Sequence, residues 1–133
     1  MLTLPWAAGP AAGTDQAEVT VLASELQVRS LRHVPGFLLA SLRAFQQARK
    51  SPGALGATLR TSPLRGTFWT LSAWESREAI NAYVMAEPHR TVMKSLRPVV
   101  AATVFTTWEA PAGAPPGWAE ADRRIEEQRQ RTP

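Results

Sequence analysis

The sequence predicts an α+β fold, an antiparallel four-stranded sheet with helices on one face. Three observations carry this. Segments with strand-like and helix-like apolar spacing follow one another in the order β-α-β-β-α-β. The strand at residues 67–74, TFWTLSAW, has bulky side chains at both odd and even positions, so it is covered on both faces. The 133 residues suffice for one domain with a real core, but not for two.

Residues 1–17 form a lead segment rich in Pro, Gly and Ala, with Trp6 available to pin it to the body. Residues 18–29 alternate, with Val19, Val21 and Ala23 opposite Thr20, Leu22 and Ser24, and form the first strand. Pro35 can open a helix whose apolar stripe is Phe37, Leu38, Ser41, Leu42 and Phe45. Arg49 and Lys50 suit its C-terminal dipole, and Ser51-Pro52-Gly53 stops it. Residues 54–61 are the second strand, and 62–66 a turn leading into the third.

After Trp74 the period changes. Ser76 is an expected N-cap, and Ala79, Ile80, Tyr83 and Val84 recur at helical spacing. Pro88 ends that helix and starts a second piece, which Arg97-Pro98 ends or bends. Residues 102–109 are the fourth strand. The domain is thus expected at 18–110, followed at 111–133 by a Pro-rich linker and a polar surface helix or tail.

This order is the ferredoxin-like split βαβ pattern. A lone sheet of this kind leaves one face wet, and here that face would carry Trp, Phe, Val and Leu. The expected remedy is a two-fold homodimer with sheets packed face to face, a dimeric α/β barrel.

Composition excludes several functions. The net charge of +4 comes from scattered arginines, which argues against a nucleic-acid interface. No apolar run reaches the roughly 20 residues of a membrane helix, and the start does not read as a signal peptide. The expected location is the cytoplasm. The Ala, Arg, Gly and Pro bias resembles that of a GC-rich bacterial genome. The absence of cysteine removes disulfides and thiol chemistry. GxGxxG, P-loop, HExxH and GxSxG motifs are all missing.

The stretches SPGALG, FWTLSAWES and EPHRTVM resemble the dimeric α/β-barrel superfamily over residues 18–109. That group includes the antibiotic biosynthesis monooxygenases and the haem-degrading monooxygenases. The chain most resembles an uncharacterised bacterial branch that is similar to the haem-containing spheroidene monooxygenases. The resemblance implies the barrel fold and a monooxygenase-like activity of bacterial secondary metabolism on an aromatic or polycyclic small molecule. The work would be cofactor-free or haem-assisted. A cyclase or isomerase on the same scaffold, or a non-catalytic binding protein for haem or another small molecule, are the alternatives. Trp74 matches the strand Trp of the small haem degraders, and Tyr83 falls at their helix aromatic. Met93 stands near the position of their iron-ligating His, with His89 one turn earlier.

His89, after Pro88, is the leading chemical candidate, as general base or as axial ligand if haem is bound. The plainer alternative is a histidine bonded to backbone. No other metal site is expected. Tyr83 and Asn81 are candidates to hold an oxyanion. Trp69, Trp74, Phe68, Trp108 and Phe105 are candidates to line a cavity for a flat substrate, although Trp69 and Trp74 lie on opposite strand faces. Arg43 and Arg60 are candidates to steady an anionic substrate. His33 reads as a surface residue.

Overall fold

The computed structural model describes residues 1–131. Four long strands form the frame: β3 (Glu18–Val28), β4 (Ala54–Ser62), β5 (Thr67–Trp74) and β6 (Val100–Pro111). Two short strands of the lead segment, β1 (Leu2–Thr3) and β2 (Ala7–Ala8), both pair with β4. All pairings are antiparallel, and the order is β1-β4-β5-β3-β6. Without the lead strands this is the ferredoxin-like arrangement. The tight β4–β5 connection ends at Gly66, whose φ of +65° suits a residue without a Cβ.

Helices α1 (Val34–Lys50), α2 (Arg77–Met85) and α3 (His89–Leu96) follow the expected positions. A fourth helix, α4, spans Trp118–Arg131. None of the described helices is long and apolar enough to cross a membrane.

The strand register assigns side chains to faces. Leu22, Ser24 and Leu26 of β3 lie beside Ser72, Thr70 and Phe68 of β5. This is the face under α1, α2 and α3. Its core comes in two pieces. One gathers Leu26, Val28, Phe37 and Phe68, with Leu38 and Leu96 against them. The other gathers Ala48, Ala54, Ala57, Trp74 and Ile80, with Leu22, Phe45 and Tyr83 against them.

The opposite face carries Val21, Ala23, Trp69, Leu71 and Trp108. This is the face for which the sequence called for a second copy. Within the chain, α4 covers it: Ala121 and Ile125 are buried there, and Trp6 and Trp118 pack at its margin. Burying Ile125, which is 2% exposed, contributes about 1.5–3 kcal/mol.

Arg60 locks the arrangement. It is only 8% exposed and lies between the rings of Trp69 and Trp118, 4.4 and 4.3 Å from their centres. It donates two hydrogen bonds to Asp122, at 2.5 and 3.2 Å. Arg129, further along α4, pairs with Glu25, which also accepts from the Trp69 indole at 2.8 Å. The segment at 118–131 is therefore a structural layer rather than a loose tail. The polar face of the helix hides this in the sequence, because its inward stripe is only Trp118, Ala121 and Ile125.

Candidate functional site

Between the two helix-side core clusters the floor of the sheet is Ser24 and Thr70, whose hydroxyls are hydrogen-bonded to one another. Both remain half-exposed although β3 and β5 are the central strands of the four-stranded frame. Their neighbours along β5, Phe68 and Ser72, are buried. A bulky residue at either position would join the two clusters; small hydroxyl residues leave a gap in the apolar packing between them. On α1, Ser41 stands one turn from Phe37 and one turn from Phe45, so the helix above the gap is also small and polar there. On α3 the half-buried residues are His89, Val92 and Leu96, a single stripe at helical spacing.

The joint between α2 and α3 closes one end. Ser76 caps α2 by accepting from the Ala79 amide at 3.1 Å. Trp74, whose indole donates to Ser72 at 2.8 Å, lies 5.1 Å from the Tyr83 ring, and Tyr83 lies 4.7 Å from the His89 ring. These three rings form a wall running from the sheet to α3. The Tyr83 hydroxyl donates to the Ala44 carbonyl at 3.2 Å, tying α2 to α1, and burial raises the phenol above its ordinary pKa. Gln47 holds the joint from α1. Its side-chain oxygen accepts from the His89 amide at 2.6 Å, and its nitrogen donates to the Tyr83 carbonyl at 3.0 Å.

His89 Nδ1 lies 3.2 Å from the Val84 carbonyl. A carbonyl only accepts, so this bond needs the proton on Nδ1 and leaves the lone pair on Nε2. Burial depresses the His89 pKa, outweighing the opposing effect of the Val84 bond. The ring is therefore neutral at pH 7, with a basic nitrogen available.

The residues expected to line one cavity separate. Trp74 and Phe68 are on the helix side, each within one of the two clusters that flank the gap. Trp69 and Trp108 are on the opposite face under α4, because strand side chains alternate and their register places them with Val21. Phe105 is on the helix side of β6, beside Ser24 in register, and is 65% exposed. Asn81 is exposed on α2. Arg43 is exposed on α1 and lines a separate open groove of about 590 Å³ with Leu42, Gln46, Lys50 and Glu87. Arg60 belongs to the α4 clamp. Met93 is exposed, off the inward stripe of α3. Ser24, Thr70 and Gln47 went unnoticed in the sequence. The signal for the first two was a pair of small hydroxyl residues within otherwise bulky strands. Among the described residues no group of three potential metal ligands occurs.

A family model, a domain of unknown function designated DUF3291, matches residues 15–133. The chain belongs to the DUF3291 family. Solved structures supply the fold likeness. SnoaB, a cofactor-independent oxygenase from Streptomyces nogalater solved as a point mutant, superposes with a TM-score of 0.58 at 17% identity, covering 71% of this chain and 94% of that one. A provisional antibiotic biosynthesis monooxygenase from Nitrosomonas europaea gives 0.63 at 16% identity, covering 77% and 97%. One from Deinococcus radiodurans gives 0.63 at 17%, covering 74% and 96%. At these identities the likeness establishes the fold that this DUF3291 member shares with them. No curated protein matches the chain significantly.

Proposed function

We propose that this DUF3291 protein is a monooxygenase-like enzyme of the cofactor-free kind. It binds an uncharged aromatic molecule in the helix-side gap and acts as a homodimer. The observation that carries this reading is the interruption of the helix-side core at Ser24 and Thr70. A core broken at mid-sheet costs packing, and a site for a flat apolar guest accounts for it. SnoaB, described as a cofactor-independent oxygenase, has the same fold, which supports the class of chemistry.

His89 Nε2 takes the proton from a phenol or an activated C–H of the bound molecule. Of the two hydroxyls at Ser24 and Thr70, one donates to the other, which leaves one O–H to stabilise the developing oxyanion. Tyr83 is less suited to that role, because its hydroxyl is committed to Ala44. The resulting electron-rich anion reduces dioxygen directly. One oxygen atom ends in the product carbonyl, and the other leaves as water together with the two hydrogens of the oxidised CH₂.

Haem would find one ligand, His89, but the residues that floor and wall the gap include no cation for its propionates. The residues thus suit a neutral guest better than a porphyrin.

Oxygen uptake with a panel of polycyclic phenols and anthrones tests the reading. Wild type is expected to consume oxygen with at least one of them, and His89→Gln to lower kcat by about 10²- to 10⁴-fold. Equal turnover without oxygen would make the protein a cyclase or isomerase. A saturable Soret shift with haemin that His89→Gln abolishes would replace the cofactor-free form with a haem-dependent one.

A further inference from the structure

We infer that the homodimer forms edge to edge along β6, with Phe105 of each protomer seated in a groove on the other. This rests on the homodimer in the reading above and names its surface.

β6 ends the sheet order, and among the described residues no strand pairs with its outer side. An exposed edge of this length is normally guarded by charge, proline or a bulge. Over residues 102–108, ATVFTTW, the edge has no charge, no proline and no glycine and keeps an unbroken register; the one register shift lies before this run, at Ala101, and Glu109 and Pro111 follow it. The strand edge is therefore open to backbone pairing, and an antiparallel strand is complementary to its own copy.

The side chains fix the register of that pairing. Phe105 protrudes on the helix side of β6. On the same strand an apolar groove of about 340 Å³ is lined by Leu26, Met93, Leu96 and Arg97 together with β6 residues 100–103. Phe105 lies two residues along β6 from Thr103 at the near end of the groove, and shares the helix-side face with Thr103 and Leu26. A two-fold axis through Thr103 pairs residues 102–104 of the two copies and brings Phe105 to the strand irregularity at the partner's Ala101, at the partner's groove, and does the same in reverse. Because the axis is two-fold, the same contact forms in both copies at once. The groove's Arg97 then meets an aromatic ring, which attracts a guanidinium. The face-to-face alternative needs the surface that α4 already occupies. Because Phe105 adjoins Ser24 in register, the partner's edge also closes the β6 side of the ligand gap.

The experiment is sedimentation of full-length wild type and Phe105→Glu at tens of micromolar, with oxidative cross-linking of Thr103→Cys. The chain has no cysteine of its own, so any disulfide reports contact between the two introduced thiols. Leu64→Cys, 88% exposed in the β4–β5 turn, is the control. Expected are a wild-type dimer, a folded Phe105→Glu monomer by circular dichroism, and rapid cross-linking of Thr103→Cys but not Leu64→Cys. A dimer that survives Phe105→Glu with no Thr103→Cys cross-link overturns the edge while leaving the homodimer standing. A wild-type monomer overturns both. If Phe105→Glu fails to fold, the cross-linking alone decides between the same outcomes.

Discussion

His89 is held neutral by burial, and this has a consequence for stability. Its folded pKa is depressed below the ordinary 6.5, so below that pH the unfolded chain binds the extra proton more readily than the folded one. The stabilisation is present above about pH 6.5 and is lost as pH falls through the depressed folded value. Thermal melts from pH 7.5 to 5 are expected to show a steeper fall for wild type than for His89→Gln, and parallel curves would mean that His89 does not titrate with folding. Activity is expected to fall along an acid limb as pH drops through the same depressed value, because a protonated Nε2 cannot act as a base. Tyr83→Phe separates the neighbouring ring from the chemistry. Losing the hydrogen bond to Ala44 is expected to cost about 0.5–1.5 kcal/mol in a denaturant titration, with kcat nearly unchanged. A large fall in kcat at unchanged stability would return Tyr83 to the role of oxyanion donor.

Among the elements, β5 and the α2–α3 pair were legible because their signals are local. The bulk on both faces of TFWTLSAW implied a central strand, Ser76 marked a helix start, and Pro88 marked the break. The strand alternation also foretold that Trp69 and Trp74 part company. What the sequence could not convey was where α4 docks. Twelve of the fourteen residues of WAEADRRIEEQRQR are not buried, and the helix holds to the sheet through Ala121, Ile125 and the distant pair Arg60–Asp122. The lead segment was obscure for the same reason, since its short strands are ordered by pairing with β4 rather than by their own pattern. The gap at Ser24 and Thr70 is an absence of bulk, visible only once the register sets two separate strands side by side. Ile125→Ala is expected to destabilise the protein by about 2–5 kcal/mol, measured by chemical unfolding. A cost below 1 kcal/mol would show that α4 is not a fixed layer of the core.

At the level of the whole molecule the two faces of one sheet divide the labour. The face under α4 is packed through Trp69, Leu71, Trp108 and Ile125, with no break among them. The face under α1–α3 sacrifices packing at its centre. Substitutions on the two sides should therefore act on different observables. Thr70→Val removes a hydroxyl from the gap while keeping its shape, and is expected to weaken binding of the proposed aromatic substrate by about tenfold, the equivalent of one lost hydrogen bond, with little change in melting temperature. Ile125→Asp sets a carboxylate among Trp69, Leu71 and Ala121, where an unpaired charge is strongly disfavoured, so α4 is expected to detach. The uncovered face is then an apolar surface of the kind that drives association. Light scattering is expected to show assemblies larger than those of wild type, because an intact β6 edge and a bared sheet face give each copy two ways to associate. If Ile125→Asp leaves the mass unchanged and binds no more of a hydrophobic dye than wild type, α4 does not shield that face.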